Sequence, residues 1–145
     1  MMVVSDTSPF NYLVQIGHVD IRPRLFGTVL TPPAVIAELG HALSPESVRT
    51  WAGRPPEWLV VRRATASEPI PGVDLGEGEA LALAIEVRAD VVLVDDARGR
   101  LVATRLNLNP KGTLGVHSLA AEIGMIDLDG AMDRLGATSF RAPPA

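Results

Sequence analysis

The run Val91-Val92-Leu93-Val94 constrains this chain more than any other segment. Its four residues are all large and apolar, with no polar position between them. That pattern marks a strand buried on both faces, whereas a half-exposed strand alternates. A strand of this kind needs helices above and below it, and the neighbouring segments supply them. Leu75–Ala89 is rich in alanine and leucine with glutamates in its first turn, and Ala97–Leu106 also reads as helix.

The rest of the chain continues the alternation. Met2–Ser5 is a short apolar strand, followed by Asp6-Thr7-Ser8-Pro9. Ser8 as N-cap with Pro9 in the first turn predicts a helix that turns Phe10, Leu13, Val14 and Ile16 inward and stops at Gly17. Val19–Phe26 reads as a second short helix and Thr28–Thr31 as a brief strand. Pro32-Pro33 opens a helix bearing Val35, Ile36 and Leu39. Ser44-Pro45-Glu46 repeats the start signal for a helix through Trp51, and Trp58–Arg62 reads as a strand. Ala64–Asp74, with Pro69, Pro71 and Gly72, is a loop. After Asn107–Gly112, a turn into a short edge, come helices at Leu114–Ile123 and Asp129–Leu135. Strands alternating with helices predict an α/β fold with a parallel sheet covered on both faces. The length of 145 residues suits one domain, 1–140, with Arg141–Ala145 as a loose tail.

In such sheets ligands bind beyond the carboxyl ends of the strands, so acidic residues at strand ends carry weight. Asp6 follows the first strand, and Asp95-Asp96 follow Val91–Val94. Asp6 has a bland reading as a helix cap, but Ser8-Pro9 already fills that need. Asp96 is well placed to cap Ala97–Leu106, which leaves Asp95 to solvent or to a site. Adjacent aspartates after a buried strand repel each other and are costly without a cation. Glu77 and Glu79 lie where a helix dipole favours carboxylates whatever their function. Glu38 is mid-helix, where a solvent-facing glutamate is common.

Other chemistries are narrowed. There is no cysteine, which removes disulfides, thiolate metal sites and cysteine nucleophiles. His18, His41 and His117 show no metal-ligand spacing, and neither glycine-rich stretch carries the lysine of a phosphate loop. The N-terminus lacks an export pattern and no apolar run reaches the roughly 20 residues of a membrane span, so a soluble cytoplasmic protein is expected. A net charge of −4 is unlike a generic nucleic-acid binder. A cation held among the acids would invert the local sign.

Taken together these residues resemble a PIN domain. Val4-Ser5-Asp6-Thr7-Ser8-Pro9 resembles that family's first strand ending in Asp-Thr-Ser. Leu30–Leu39 is similar to its strand, turn and helix bearing Glu38. Leu75-Gly76-Glu77-Gly78-Glu79-Ala80 resembles the third acidic position, with glutamate where many members have aspartate. Val91–Asp96 with Arg98 and Arg100 resembles the last acidic strand end, where Asp96 matches the final acid and Asp95 is extra. Gly112–Val116 is similar to a late element in a short prokaryotic branch.

The resemblance covers residues 3–125 and implies a three-layer α/β/α domain on a central, mostly parallel sheet of four to five strands. It implies a Mg²⁺- or Mn²⁺-dependent endoribonuclease leaving a 5′-phosphate and a 3′-hydroxyl, often the toxin of a toxin–antitoxin pair. Such proteins are commonly homodimers blocked by a small antitoxin. Catalytic candidates are then Asp6, Glu38, Glu79, Asp95 and Asp96. Asp6, Glu79 and Asp96 are expected to hold metal, and Thr7, Ser8, Arg98 and Arg100 to meet RNA, with Arg105 and Lys111 nearby. A PIN-like binding module with weak catalysis is the alternative. A receiver-type signalling domain is disfavoured because its acidic pair belongs on the first strand.

Overall fold

Val3, Val4 and Ser5 are fully buried and form strand β1, Val3–Ser5, hydrogen-bonded to a neighbour on each side. The computed structural model describes residues 2–15, 17, 26–65, 70–116 and 128–138. The other strands are β2 (Val29–Thr31), β3 (Leu59–Val61), β4 (Val91–Leu93) and β5 (Pro110–Lys111). All pairings are parallel and the sheet order is β3-β2-β1-β4-β5.

Each strand has only two or three residues, and the alternation of side chains across the pleat sorts them into two cores. Val3, Val29, Val91 and Leu93 point to one face. They meet Phe10 and Leu13 of α1 (Thr7–Gln15), Val35 and Leu39 of α2 (Pro33–Leu39), and Val48 of α3 (Glu46–Gly53). Phe10, Trp51 and Trp58 stack in a row at this layer's edge, with ring centroids 5.2 and 6.1 Å apart. Val4, Leu30 and Val92 point to the other face. There they bury Ala80, Leu81, Leu83 and Ala84 of α4 (Leu75–Glu86) and Ala103 of α5 (Ala97–Arg105). A last helix, α6 (Leu128–Gly136), adds Leu135 to the first core. The result is the expected three-layer α/β/α arrangement on a parallel sheet.

Local departures from the sequence reading have simple causes. Helix α1 begins at Thr7, so Ser8 lies inside its first turn instead of capping it. Pro45, not Ser44, occupies the N-cap of α3, and the Ser44 hydroxyl donates to the Glu38 carbonyl at 3.0 Å. Helix α4 stops at Glu86, short of Ala89, because Arg88 turns into the left-handed region at φ 53°. The expected helix 19–26, except Phe26, and most of the expected helix 114–123 lie outside the described residues, as does the tail 141–145.

The chain runs from β1 outward to β2 and β3, then returns to the opposite side of β1 for β4 and β5. The crevice beyond the carboxyl ends of β1 and β4 is therefore the switch point at which α/β sheets of this kind bind ligands.

Candidate active site

Asp6 stands at that switch point. Its amide continues the β1–β4 ladder by donating to the Leu93 carbonyl at 2.9 Å, so its position is set by the sheet. The residue is only 4% exposed. Thr31 Oγ1 donates to the Ser5 carbonyl at 2.8 Å and ties the end of β2 to the end of β1 just before it.

Glu77 comes in from above. Asp74 is the N-cap of α4 and accepts from the Glu77 amide at 2.9 Å, which fixes Glu77 three positions into the helix. Its carboxylate reaches across to the start of α5. A Cβ added at Gly99 would lie 2.9 Å from Glu77 Oε2 and 3.3 Å from Val94 Cγ1. Glu38 projects from α2 toward the same place, where its Oε2 accepts from Thr7 Oγ1 at 2.8 Å. A Cβ at Gly76 would collide with its carboxylate. The absence of side chains at Gly76 and Gly99 is thus what admits Glu38 and Glu77.

The electrostatics of this crevice are one-sided. Burial pushes the Asp6 carboxyl from an ordinary value up to about 7. The Thr7 backbone hydrogen bond opposes that rise, while Asp74, Glu38 and Asp95 add repulsion. Burial also pushes Glu77 up to about 8, reinforced by Asp6, Asp74, Asp96 and Glu38. Among the described residues, no arginine, lysine or histidine figures among the charges acting on either group. Glu79 is not among them either. It lies half-buried two residues beyond Glu77, about 200° further round the helix. The structure brings Glu77, and not Glu79, to Asp6.

The β4 end behaves differently. Asp95 accepts from the amide of buried Thr113 at 2.6 Å and from its hydroxyl at 2.5 Å. Arg100 Nη1 donates to the Asp95 carbonyl at 2.5 Å, so this arginine, expected to face RNA, braces the strand end. Asp96 is the N-cap of α5 and accepts from the Gly99 amide at 3.0 Å. Both aspartates do structural work while their charges bear on Asp6 and Glu77 respectively.

Two clefts stand out among the described residues, and one of them shares Glu38 with the crevice. One, of about 650 Å³, lies between the 71–72 loop and α5 and is lined by Arg98 and Arg105 with Leu101 and Val102. The other, of about 600 Å³, has Glu38 in its wall and is lined by neutral polar groups of α1 and the loop after α2. Ser8 is half-buried in the first turn of α1, and Lys111 lies in β5.

Hard carboxylate oxygens that repel one another in a buried crevice are the donor chemistry of a hard divalent cation such as magnesium. As they stand, no three acidic or histidine side chains among the described residues are disposed as a ready-made ligand set. The oxygens of Asp6, Glu77 and Asp96 fit such an ion by chemistry, and would have to draw together to enclose one.

A parallel five-stranded sheet between helical layers, with acids gathered at its switch point, defines an α/β protein of nuclease-like architecture. A family model described as PIN domain matches residues 2–145, and the chain belongs to that family. Among solved structures it is similar to a PilT N-terminus domain protein from the hyperthermophilic archaeon Sulfolobus solfataricus. The two share 17% identity at a TM-score of 0.61, over 88% of this chain and 97% of the other. At that identity the likeness speaks for the fold. A search among curated proteins found no significant match. Among the described residues no helix is long and apolar enough to cross a membrane.

Proposed function

We propose that this protein is a divalent-metal-dependent endoribonuclease that hydrolyses RNA phosphodiester bonds, acting as the toxin of a toxin–antitoxin pair. PIN domains are generally nucleases. The observation that carries the proposal is the pair Asp6 and Glu77, buried at the switch point and raised by burial and by neighbouring acids, with no cation among the described residues to offset them. A protein tolerates such an arrangement where a bound ion relieves it.

In this reading Asp6, Glu77 and Asp96 hold Mg²⁺ or Mn²⁺, with Glu77 taking the role expected of Glu79. The ion, when bound, lowers the pKa of a coordinated water and offsets charge on the phosphoryl oxygens. The chain's own groups do the rest. Glu38, whose Oε2 accepts from Thr7, would be the base that takes a proton from an attacking water. Asp95 and Arg100 keep the end of β4 in place through Thr113 and the Asp95 carbonyl. Arg98 and Arg105, in their cleft beside Asp96, receive the phosphates of the RNA strand. A homodimer and a small inhibitory antitoxin belong to the same proposal.

The test is cleavage of single-stranded and hairpin RNAs with Mg²⁺ or Mn²⁺ against chelator. Metal-dependent cutting that disappears in Asp6→Asn is expected, and cutting that survives Asp6→Asn would overturn the assignment. A PIN-like binding module is the second reading. It is favoured by the engagement of Asp95 with Thr113 and of Asp96 with the Gly99 amide. RNA binding without cleavage under any divalent ion would select it.

A further inference from the structure

We propose that the cleft of about 600 Å³ on the Glu38 side of the crevice is a nucleobase subsite, which seats a base flanking the scissile phosphate. This inference rests on the nuclease reading and adds to it the group that would read RNA sequence. The cleft falls within the roughly 300–1,000 Å³ range of small-molecule sites. Its wall includes Glu38, so anything placed in it lies directly beside the carboxylate crevice.

The lining chemistry distinguishes a base from a phosphate. No arginine or lysine lines this cleft among the described residues, and Glu38 would repel an anion. Instead, Asn11 and Gln15 stand one turn apart on α1, and Gln15 Nε2 donates to Asn11 Oδ1 at 2.9 Å. That bond uses one donor of Gln15 and the acceptor of Asn11, and leaves a donor on Asn11 and an acceptor on Gln15 for a ligand. A donor next to an acceptor is the pattern of a base edge, the reason Asn and Gln pair with bases bidentately. His41 accepts from the Leu43 amide at its Nδ1 (3.1 Å), which engages one ring nitrogen and leaves Nε2 for a ligand. Leu43, 89% exposed on the rim, supplies an apolar surface for a ring face. The cleft lined by Arg98 and Arg105 has the contrasting, cationic character that suits phosphate.

The experiment has two arms on the full chain. In the first, ¹⁵N-labelled protein is titrated with AMP, GMP, CMP, UMP and ribose 5-phosphate. We expect base-dependent shifts of the Asn11, Gln15 and Leu43 amides, absent with ribose 5-phosphate, and about a five- to tenfold preference among the four bases. Gln15→Ala and His41→Ala should each erase most of that preference. Gln15→Ala replaces a helix residue with the best helix former, and a thermal melt verifies that it folds. In the second arm, cut sites are mapped on a random RNA pool, where Gln15→Ala and Asn11→Ala should flatten the nucleotide preference beside the cut. Cleavage by the wild type with shifts identical for all ligands, or with unchanged preference in both variants, would sink the subsite and leave the nuclease standing. Base-dependent shifts that respond to Gln15→Ala, with no cleavage by the wild type, would keep the base pocket and sink the nuclease.

Discussion

The ends of β1 and β4 lie side by side on the same sheet edge, yet their aspartates live under opposite conditions. Asp95 has its carboxylate satisfied by the Thr113 amide and hydroxyl, and Asp96 caps a helix. Asp6 is more deeply buried, and among the described residues the side-chain charges acting on it are all acidic. Neighbouring strand ends can thus divide two tasks. One builds the local structure and the other stores an unfavourable charge, which a ligand can then relieve.

The sharpest test of this contrast is a pair of substitutions, one at each strand end. Asp6→Asn should cut metal-dependent cleavage by roughly 10³-fold or more. Without metal it should also stabilise the protein at pH 8 by about 2–4 kcal/mol, measured by denaturant unfolding, because a buried charge is removed. Asp95→Ala should do the reverse to stability. It removes both hydrogen bonds from buried Thr113 and should destabilise by about 2–4 kcal/mol. Equal destabilisation by both changes would erase the distinction between the two strand ends.

The pH profile sharpens it further. Asp6 and Glu77 keep protons in the fold up to about 7 and 8, while in the unfolded chain they lose them near pH 4. The folded state binds more protons in that interval. The metal-free protein should therefore lose stability as pH rises from about 4 to 8 and level off above. Saturating Mn²⁺, at about 100 times its Kd, should restore about 2.7 kcal/mol at pH 8 and much less at pH 5, where protons compete for the same oxygens. A flat metal-free profile across this window would contradict the uncompensated charge at β1.

Smaller effects complete the series. Gly99→Ala would ordinarily gain up to about 1 kcal/mol in a helix. Here its Cβ would meet Glu77 Oε2 and Val94, so a net loss of about 1–2 kcal/mol is expected in a thermal melt. Asp96→Ala forfeits the α5 cap, costing about 1 kcal/mol. A stabilising Gly99→Ala would mean that Glu77 does not lie against α5.

The sequence made the strand ends legible because a fully apolar run closed by aspartates has few other meanings. Val91–Val94 predicted both the inner strand and its parallel neighbours, and Asp6 and Asp95 fell at adjacent ends of β1 and β4. The choice between Glu77 and Glu79 was harder, since Ala80–Ile85 of α4 is apolar at every position although only Ala80, Leu81, Leu83 and Ala84 of that run are buried. A helix apolar nearly all round gives no periodicity from which to tell which glutamate looks inward. The missed signal was Asp74, whose N-cap position sets Glu77 in the first turn. Arg100 also braces a backbone carbonyl, a partner that sequence spacing does not display.

The amide of Asp6 is locked to Leu93 across the ladder, on a central strand flanked by neighbours on both sides. The acid therefore has no hinge by which to swing away from its like-charged company. Frustration that geometry forbids the chain to escape can be lifted only by what arrives from solvent, a proton in acid or a metal ion near neutrality. The crevice is in that sense anchored at Asp6 by the sheet, so any closing on an ion falls to the helix-borne acids Glu77 and Asp96.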